Sequence, residues 1–336
     1  MTGMMGDMGA RPLLSVEGLD VRFDLPGART TFKAVDGVSF EIGRGEIFGL
    51  IGESGSGKSS VARAIMRLAP IAGGAVSLGE TRLDRLQGRE LRRQRRRVQM
   101  VFQDSSDSLD PRMTVRQAIA EPLRMHDAPQ GGAGGDLVAS LAQRVGLDES
   151  HLDRKPHTLS GGQKQRVNIA RALALGPELL VCDEAVSALD VSVQAGIINL
   201  LLSLQQELGI SVLFISHDLG VVAHLADRIG VMYLGRLAEV ATAGSLTARP
   251  RHPYTEALLA AEPEPRPSMH RAARAPLIAG EVPSAANPPS GCRFRTRCRY
   301  ARDLCAQQQP PLRPIEGGGL VACHFAEELV LEGRRA

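Results

Sequence analysis

Short runs of consecutive apolar residues alternate along the chain with segments whose apolar positions have helical spacing. Four of these runs have the length of a buried strand, at residues 47–51, 98–102, 179–182 and 212–215. A helical segment is predicted after the first run, at residues 61–68. Near-continuous apolar strands separated by helices are typical of a parallel sheet covered on both faces. The pattern therefore predicts an α/β fold with a mainly parallel central sheet.

Three regions differ from this pattern and suggest a domain division. Residues 1–12 are rich in Met and Gly and are predicted to form a disordered lead to a main domain at 13–250. The start of that domain has short apolar runs between turn signals, which predicts a small antiparallel β subdomain. Residues from about 104 to 177 are more polar and helical, as expected for an inserted helical subdomain. Proline and arginine become frequent in residues 251–336, which predicts a C-terminal extension.

Composition narrows the possible functions. The 336 residues carry a net charge of only +3, and aromatic residues make up 3 % with no Trp. Neither a strongly basic surface nor a set of base-stacking aromatics is indicated, so no nucleic-acid partner is expected. No stretch of about 18 apolar residues and no secretory signal occurs, so we expect no membrane span. Five cysteines in such a chain favour a reducing compartment, where metal binding is more common than disulfides.

A glycine-rich segment directly after the first apolar run matches the P-loop pattern Gly-x4-Gly-Lys-Ser. In this pattern backbone N–H groups and a helix N-terminus surround phosphate oxygens. Lys58 is predicted to reach the β- and γ-phosphates and Ser59 to bind Mg²⁺. The alternative is a glycine-rich turn with a solvated lysine. The predicted ATP-binding residues are Gly52, Glu53, Ser54, Gly55, Ser56, Gly57, Lys58, Ser59 and Ser60.

Two acidic residues, Asp183 and Glu184, end the apolar run at 179–182. A carboxylate at the carboxyl end of a buried parallel strand lies where such sheets bind ligands. Asp183 is predicted to help hold Mg²⁺, and Glu184 to polarise the water that attacks the γ-phosphate. Such a pair is weak evidence alone, but it gains weight from the P-loop.

The segment Leu-Ser-Gly-Gly-Gln-Lys-Gln-Arg at 159–166 resembles the signature of ABC ATPases. The resemblance implies a P-loop ABC ATPase core that dimerises head to tail, with two ATP molecules in the interface. It also implies which residues contact the ATP held by the opposite subunit. These are Ser160, Gly161, Gly162, Gln163 and Asp190, the last from a segment at 187–190 that resembles the D-loop.

Two further residues match that family at the expected places. Gln103 resembles the Q-loop glutamine, which the family uses to contact Mg²⁺ and the attacking water. His217 resembles the switch histidine, which orients that water. The resemblance therefore implies the catalytic set Glu184, His217 and Gln103, and Mg²⁺ contacts from Ser59, Gln103 and Asp183. The adenine-stacking residue stays unassigned between Phe32 and Arg29.

Two segments resemble the oligopeptide and dipeptide importer ATPases, one around residues 98–115 and one in the C-terminal extension at 251–259. The resemblance implies a subunit that powers peptide import from the cytoplasmic face of the inner membrane. Its implied partners are two transmembrane permease subunits, a related but non-identical ATPase chain and, indirectly, an extracytoplasmic solute-binding protein. A nickel-complex importer of the same subfamily is an alternative. A soluble accessory ATPase, linked to phosphonate degradation or to nucleic acid, is another.

Four cysteines lie in the extension, separated by five, six and seventeen residues. Zinc sites favour closer pairs, whereas a 4Fe–4S cluster accepts four single thiolates. Some peptide-importer ATPases hold such a cluster with this arrangement of cysteines, so the resemblance implies one here. Zinc and free thiols remain alternatives. The predicted ligands are Cys292, Cys298, Cys305 and Cys323.

Overall fold

The computed structural model describes residues 11–24, 31–104, 107–126, 132–187, 189–262 and 280–334. Most of the lead predicted at residues 1–12 lies outside these ranges, as does Arg29, one of the two candidates for adenine stacking. In the part of the chain that the structure describes, no helix is both long and apolar enough to cross a membrane.

The described residues form the following strands and helices. The strands are β1 (Leu14–Asp24), β2 (Thr31–Ile42), β3 (Ile47–Ile51), β4 (Gly73–Leu78), β5 (Thr81–Arg82), β6 (Val98–Val101), β7 (Leu179–Asp183), β8 (Ser211–Ser216), β9 (Arg228–Tyr233), β10 (Arg236–Thr242), β11 (Arg313–Pro314) and β12 (Leu320–Val321). The helices are α1 (Lys58–Ile65), α2 (Gly88–Gln94), α3 (Val115–Met125), α4 (Gly132–Arg144), α5 (Gly161–Leu173), α6 (Val191–Leu208), α7 (Leu219–Leu225), α8 (Ala243–Ala248), α9 (Pro253–Ala261) and α10 (Asp303–Gln307).

The larger sheet has the strand order β11-β12-β10-β9-β3-β8-β7-β6 among the described residues. The neighbours from β6 to β9 pair in parallel, while β10, β11 and β12 are antiparallel additions. Every residue of β3, β7 and β8 is buried, as expected for strands covered on both faces. The predicted α/β fold with a mainly parallel sheet is confirmed.

A smaller antiparallel sheet, in the order β2-β1-β4-β5, packs against one face of the larger one. The two sheets share an apolar core in which Phe40 stacks on Phe48 of β3 with ring centroids 4.9 Å apart. Beyond β6, helices α3, α4 and α5 pack together before the chain returns to β7. Thr114 and Ser160 begin α3 and α5 with reciprocal capping boxes, which satisfy backbone N–H groups at each helix start.

The C-terminal extension differs from the rest of the chain in composition, yet it joins the main sheet. Strand β12 pairs with β10, with Val321 opposite Glu239, and β11 completes the edge. Phe294 is buried against Tyr233 of β9 and Tyr254 of α9. In the described residues the extension therefore shares its core with the sheet domain.

We predict that Gly49→Ala destabilises the fold. Gly49 lies in the middle of β3, and a Cβ there would come within 2.1 Å of Val222 Cγ1 on α7 and 3.2 Å of Ala226 Cβ, directly after that helix. Overpacking of this kind costs about 1–3 kcal/mol. Urea unfolding should show a lower midpoint for this variant. The matched control is Gly244→Ala in α8, where a Cβ meets nothing within 4 Å and the midpoint should stay or rise slightly. Equal midpoints for the two variants would contradict the prediction.

Candidate functional site

The loop between β3 and α1 forms a cradle that only glycine permits at two positions. Gly52 and Gly57 have φ angles of 153° and 105°, which side chains rarely adopt. A Cβ on Gly52 would lie 2.1 Å from Met232 O, and one on Gly57 would lie 2.3 Å from Ala34 O. The backbone therefore passes close to neighbouring strands, and α1 begins directly after it. This geometry suits an anion held by backbone N–H groups and a helix N-terminus.

Lys58 places its ammonium inside this cradle. Its Nζ donates to Gly52 O at 2.8 Å and to Glu53 O at 3.0 Å, and the residue is only 3 % exposed. Burial lowers the pKa of Lys58, and the nearby charges of Glu184, Asp183 and Glu53 oppose that shift. A buried cation whose partners are mainly backbone carbonyls can be better neutralised by a bound anion.

Two of the residues predicted to contact Mg²⁺, Ser59 and Asp183, meet at the edge of the cradle. Ser59 Oγ donates to Asp183 Oδ1 at 2.9 Å, and Asp183 is 4 % exposed. Burial raises the pKa of Asp183; the charge of Glu184 acts in the same direction, against the Ser59 hydrogen bond and the Arg63 and Lys58 charges. A hydroxyl and a carboxylate are the oxygen ligands that Mg²⁺ prefers.

The three predicted catalytic residues converge from the ends of β6, β7 and β8. Gln103 Nε2 donates to Glu184 Oε2 at 2.9 Å, and His217 Nδ1 lies 3.8 Å from the same oxygen. Glu184 has a φ of 48°, an uncommon value for a residue other than glycine. Its backbone N–H donates to Ile215 O at 3.0 Å, which holds this turn against β8. Of the three residues predicted to contact Mg²⁺, Ser59 and Asp183 are hydrogen-bonded to each other. The third, Gln103, is hydrogen-bonded to Glu184 instead.

The residues that resemble the ABC signature form a second cluster, at the start of α5. Ser160 caps this helix, and Gly162 packs so closely on α6 that a Cβ would lie 2.5 Å from Val193 Cγ1. Asp190 is the N-terminal cap residue of α6 beside it. Gln163 completes the capping box with Ser160, and Gly161 is exposed. The structure therefore places the five predicted residues at two adjacent helix starts, while Ala188 of the D-loop segment lies outside the described residues.

Two residues of the C-terminal extension contact the cradle, and neither contact was predicted from the sequence. Arg297 binds the Glu53 carboxylate through both terminal nitrogens, at 2.6 and 3.0 Å. This hydrogen bonding raises the pKa of Arg297. Tyr254 Oη accepts the backbone N–H of Glu53 at 2.8 Å. No local pattern connects positions more than 200 residues apart, so only the fold could reveal these contacts.

The four cysteines of the extension line one small cavity of about 20 Å³. Burial raises the pKa of Cys298 to about 12 and that of Cys323 to about 11. Within the described ranges, no three or more His, Cys, Asp or Glu side chains are arranged so that they could hold a metal ion. The structure thus brings the predicted ligands together around one space but does not display a metal site.

Comparison with known proteins extends this picture. Residues 35–187 match the family described as ABC transporter, and residues 238–305 match the oligopeptide/dipeptide transporter C-terminal region. The oligopeptide transport ATP-binding protein OppF of Salmonella typhimurium is 48 % identical over 89 % of this chain and 92 % of its own length. YkfD of Bacillus subtilis, named for oligopeptide transport, is 50 % identical over 94 % of this chain and 95 % of its own length.

Among solved structures, the ATP-binding cassette MJ0796 with ADP and phosphate bound has a TM-score of 0.63 and 29 % identity. The match covers 68 % of this chain and 98 % of that one. The cradle and the oxygen pair beside it define a P-loop nucleotide-binding protein. The chain belongs to the ABC transporter ATP-binding family and carries the C-terminal region found in oligopeptide and dipeptide transporters.

We predict that Asp183→Asn stabilises the nucleotide-free protein at pH 7. The folded-state pKa of Asp183 is raised, mainly by burial, so ionisation costs stability as pH rises above the ordinary value of 3.8. The amide keeps an acceptor for Ser59 without this cost. Urea unfolding at pH 7 should give a higher free energy for the variant, and the difference should shrink as pH is lowered.

The matched control for this prediction has the opposite sign. Hydrogen bonding to Arg82 lowers the pKa of Asp84, so its ionised form stabilises the fold at pH 7. Asp84→Asn should therefore lower the free energy of unfolding. If Asp183→Asn also lowered it, the ionised carboxylate would be a net stabilising group and the prediction would be wrong.

Proposed function

We propose that the chain hydrolyses ATP to power the import of dipeptides or oligopeptides through a membrane permease. The observation that carries this proposal is the convergence of Gln103, Glu184 and His217 next to the Ser59–Asp183 pair. That arrangement supplies the groups for phosphoryl transfer to water. The names of OppF and YkfD, together with the C-terminal region, support peptides as the solute.

In the proposed mechanism the cradle binds the phosphates and Lys58 neutralises the β- and γ-phosphate charge. Ser59 and Asp183 would hold Mg²⁺, whose charge would balance that of the transferring phosphoryl group. Glu184 accepts a hydrogen bond from the attacking water and polarises it. Gln103 and His217 orient that water, because both already lie beside the Glu184 carboxylate.

We further propose that two ATPase chains close head to tail around ATP. The exposed starts of α5 and α6 would then contact the nucleotide of the opposite subunit through Ser160, Gly161, Gly162, Gln163 and Asp190. The first N–H groups of a helix have no partner within the helix, so such a start suits the γ-phosphate. The similar cassette MJ0796, solved with ADP and phosphate bound, is a dimer. We propose a related, non-identical chain as the partner.

A groove of about 800 Å³ between the sheet and the helical insertion is the proposed docking site for the permease. Its walls expose the apolar side chains of Leu68, Phe102 and Met125, which are 40–59 % exposed. Gln103 and Asp183 also line it, so an occupant would lie next to the catalytic cluster. We therefore propose that the chain is peripheral on the cytoplasmic face of the inner membrane, where it serves two permease subunits and, indirectly, a solute-binding protein.

The hydrolysis step is tested with Glu184→Gln. The amide keeps the shape but cannot polarise water, so ATP turnover should fall about 100-fold or more while ATP still binds. Turnover is measured by phosphate release and binding by retention of labelled ATP. Glu207→Gln, at the exposed C-terminal end of α6, is the control and should hydrolyse at the wild-type rate. Normal turnover in Glu184→Gln would refute the role of Glu184.

The same variants identify the solute in cells that lack the gene. Uptake of a labelled peptide series should return with wild type or Glu207→Gln but not with Glu184→Gln. Recovery of nickel uptake instead would favour the nickel alternative within the subfamily. If the gene affected neither solute, the accessory ATPase alternatives would replace the import proposal.

We also propose that the four cysteines of the extension hold a 4Fe–4S cluster. Four thiolates around one cavity are the ligand set that such a cluster uses. Zinc sites favour cysteine pairs two to four residues apart, whereas these cysteines are separated by five, six and seventeen residues. Thiolates around a cluster stand farther apart, so the cavity would have to widen. The bound cluster would tie together segments that the chain separates by up to 31 residues, from Cys292 to Cys323.

We predict that Cys298→Ser loses most of its iron. Its thiol is one of four that face the cavity, and a hydroxyl is a much poorer iron ligand. Iron and acid-labile sulfide are measured in protein purified without oxygen. Cys182→Ala, which alters a buried cysteine of β7, should retain the wild-type iron content. Zinc in the wild type, or unchanged iron in Cys298→Ser, would contradict the proposal.

A further inference from the structure

The turn from Cys292 to Cys298 connects the cysteine cavity with the nucleotide cradle. It is closed by hydrogen bonds from Arg295 N to Cys292 O at 3.1 Å and from Arg297 N to Phe294 O at 3.0 Å. Phe294 is 3 % exposed, and its ring centroid lies 5.3 Å from that of Tyr233 and 5.2 Å from that of Tyr254. The turn is therefore packed firmly against β9 and α9.

Arg297 extends from this turn to the P-loop. Its two terminal nitrogens bind the two oxygens of Glu53, and Nη1 also donates to Tyr233 Oη at 3.3 Å. Its side chain is 6 % exposed and that of Glu53 is 24 % exposed. Two parallel hydrogen bonds between a guanidinium and a carboxylate, shielded from solvent, fix the distance between the two groups and their relative orientation.

The Glu53 peptide is fixed by three groups at once. Its N–H donates to Tyr254 Oη at 2.8 Å, its carbonyl accepts from Lys58 Nζ at 3.0 Å, and its side chain is bound by Arg297. A rotation of Glu53 would therefore displace a carbonyl that positions the Lys58 ammonium. Glu53 connects the extension with the group that faces the phosphates.

A second arginine of the same turn reaches the opposite wall of the cradle. Arg293 contacts Asp36 and the carbonyl of Leu234. Asp36 N donates to Gly235 O at 2.9 Å, and Gly235 N donates to Ser56 O of the P-loop at 2.8 Å. Both sides of the nucleotide loop are thus attached to one turn of the extension.

We infer that Arg297 is a positioning residue through which the C-terminal extension sets the affinity of the P-loop for ATP. The inference rests on the proposed function only in that ATP is the ligand. If the two hydrogen bonds from Arg297 were removed, the partly buried carboxylate of Glu53 would compete with phosphate for the Lys58 ammonium. The extension then acts on nucleotide binding without touching the nucleotide.

The test is a double-mutant cycle on the full chain, with Arg297→Met, Glu53→Gln and the combined variant. The readout is the dissociation constant for a fluorescent ATP analogue with Mg²⁺. Arg297→Met should weaken binding about tenfold, within the range usual for coupled sites. Glu53→Gln should weaken binding less, because it also removes the competing charge. The combined variant should bind like Glu53→Gln alone. In Arg297→Met, phosphate release per bound ATP should stay at the wild-type value, because Arg297 does not touch the nucleotide.

Two further variants separate positioning from a general structural role. Arg295→Met removes an arginine of the same turn whose side chain hydrogen-bonds to Ser290, away from the cradle, and this variant should bind ATP like wild type. Arg297→Lys keeps the charge but loses the fork, so its affinity should lie between those of wild type and Arg297→Met. This variant also serves as the readout if Arg297→Met does not fold.

Two results would overturn the inference while leaving ATP binding established. One is wild-type affinity in both Arg297→Met and Arg297→Lys. The other is a combined variant whose loss equals the product of the single losses, because independent effects multiply. A wild-type chain that binds no ATP would overturn the proposed function and this inference together.

Discussion

The parallel pairing of β3, β7 and β8 is the constraint on which the site depends. In this register Ile51 lies opposite Ser216, and Asp183 lies opposite Ile215. Three motifs that are far apart in the chain therefore leave the sheet at one edge, because the carboxyl ends of parallel strands lie side by side. Every residue of these strands is buried, so a shift of one residue would exchange the side chains that face the two covering layers and disturb the close packing of both.

The cradle itself contributes little to its own shape. Gly52 and Gly57 supply unusual backbone angles, and glycine gives up more conformational entropy on folding than other residues. The loop is held from outside, by carbonyls of Met232 and Ala34 that exclude side chains and by Arg297. Contacts from three distant parts of the chain thus compensate for a loop that would be mobile alone.

The sequence predicted the strands well because burial on both faces leaves a continuous apolar run. The runs at 47–51 and 98–102 correspond to β3 and β6 within one residue, and the other two match β7 and β8 equally closely. The helix predicted at 61–68 begins earlier, at Lys58. The first turn of this helix is polar because it faces the cradle and not the core. The apolar pattern used for the prediction therefore began after the helix itself.

Pairings between distant polar residues were predictable only where known chemistry links them. The Ser59–Asp183 contact follows from the P-loop pattern and a strand-end carboxylate, since both are predicted to serve one Mg²⁺. The Arg297–Glu53 pair has no such rule, because arginine is frequent throughout the extension and any of several could have reached Glu53. The exact residue follows from the packing of Phe294, which orients its turn.

Charge distribution explains why this site should favour its ligand over the empty state. Lys58 and Asp183 are buried with opposite charges, yet burial opposes ionisation of both. Direct pairing would satisfy them, but Lys58 bonds to carbonyls and Asp183 to Ser59 instead. In the proposed mechanism, an anionic phosphate with its Mg²⁺ would supply the missing counter-charge to each. Ligand binding would then offset the free-energy cost of burying the two charges. Arg297 keeps the Glu53 carboxylate away from the Lys58 ammonium, which leaves that ammonium available to the phosphates.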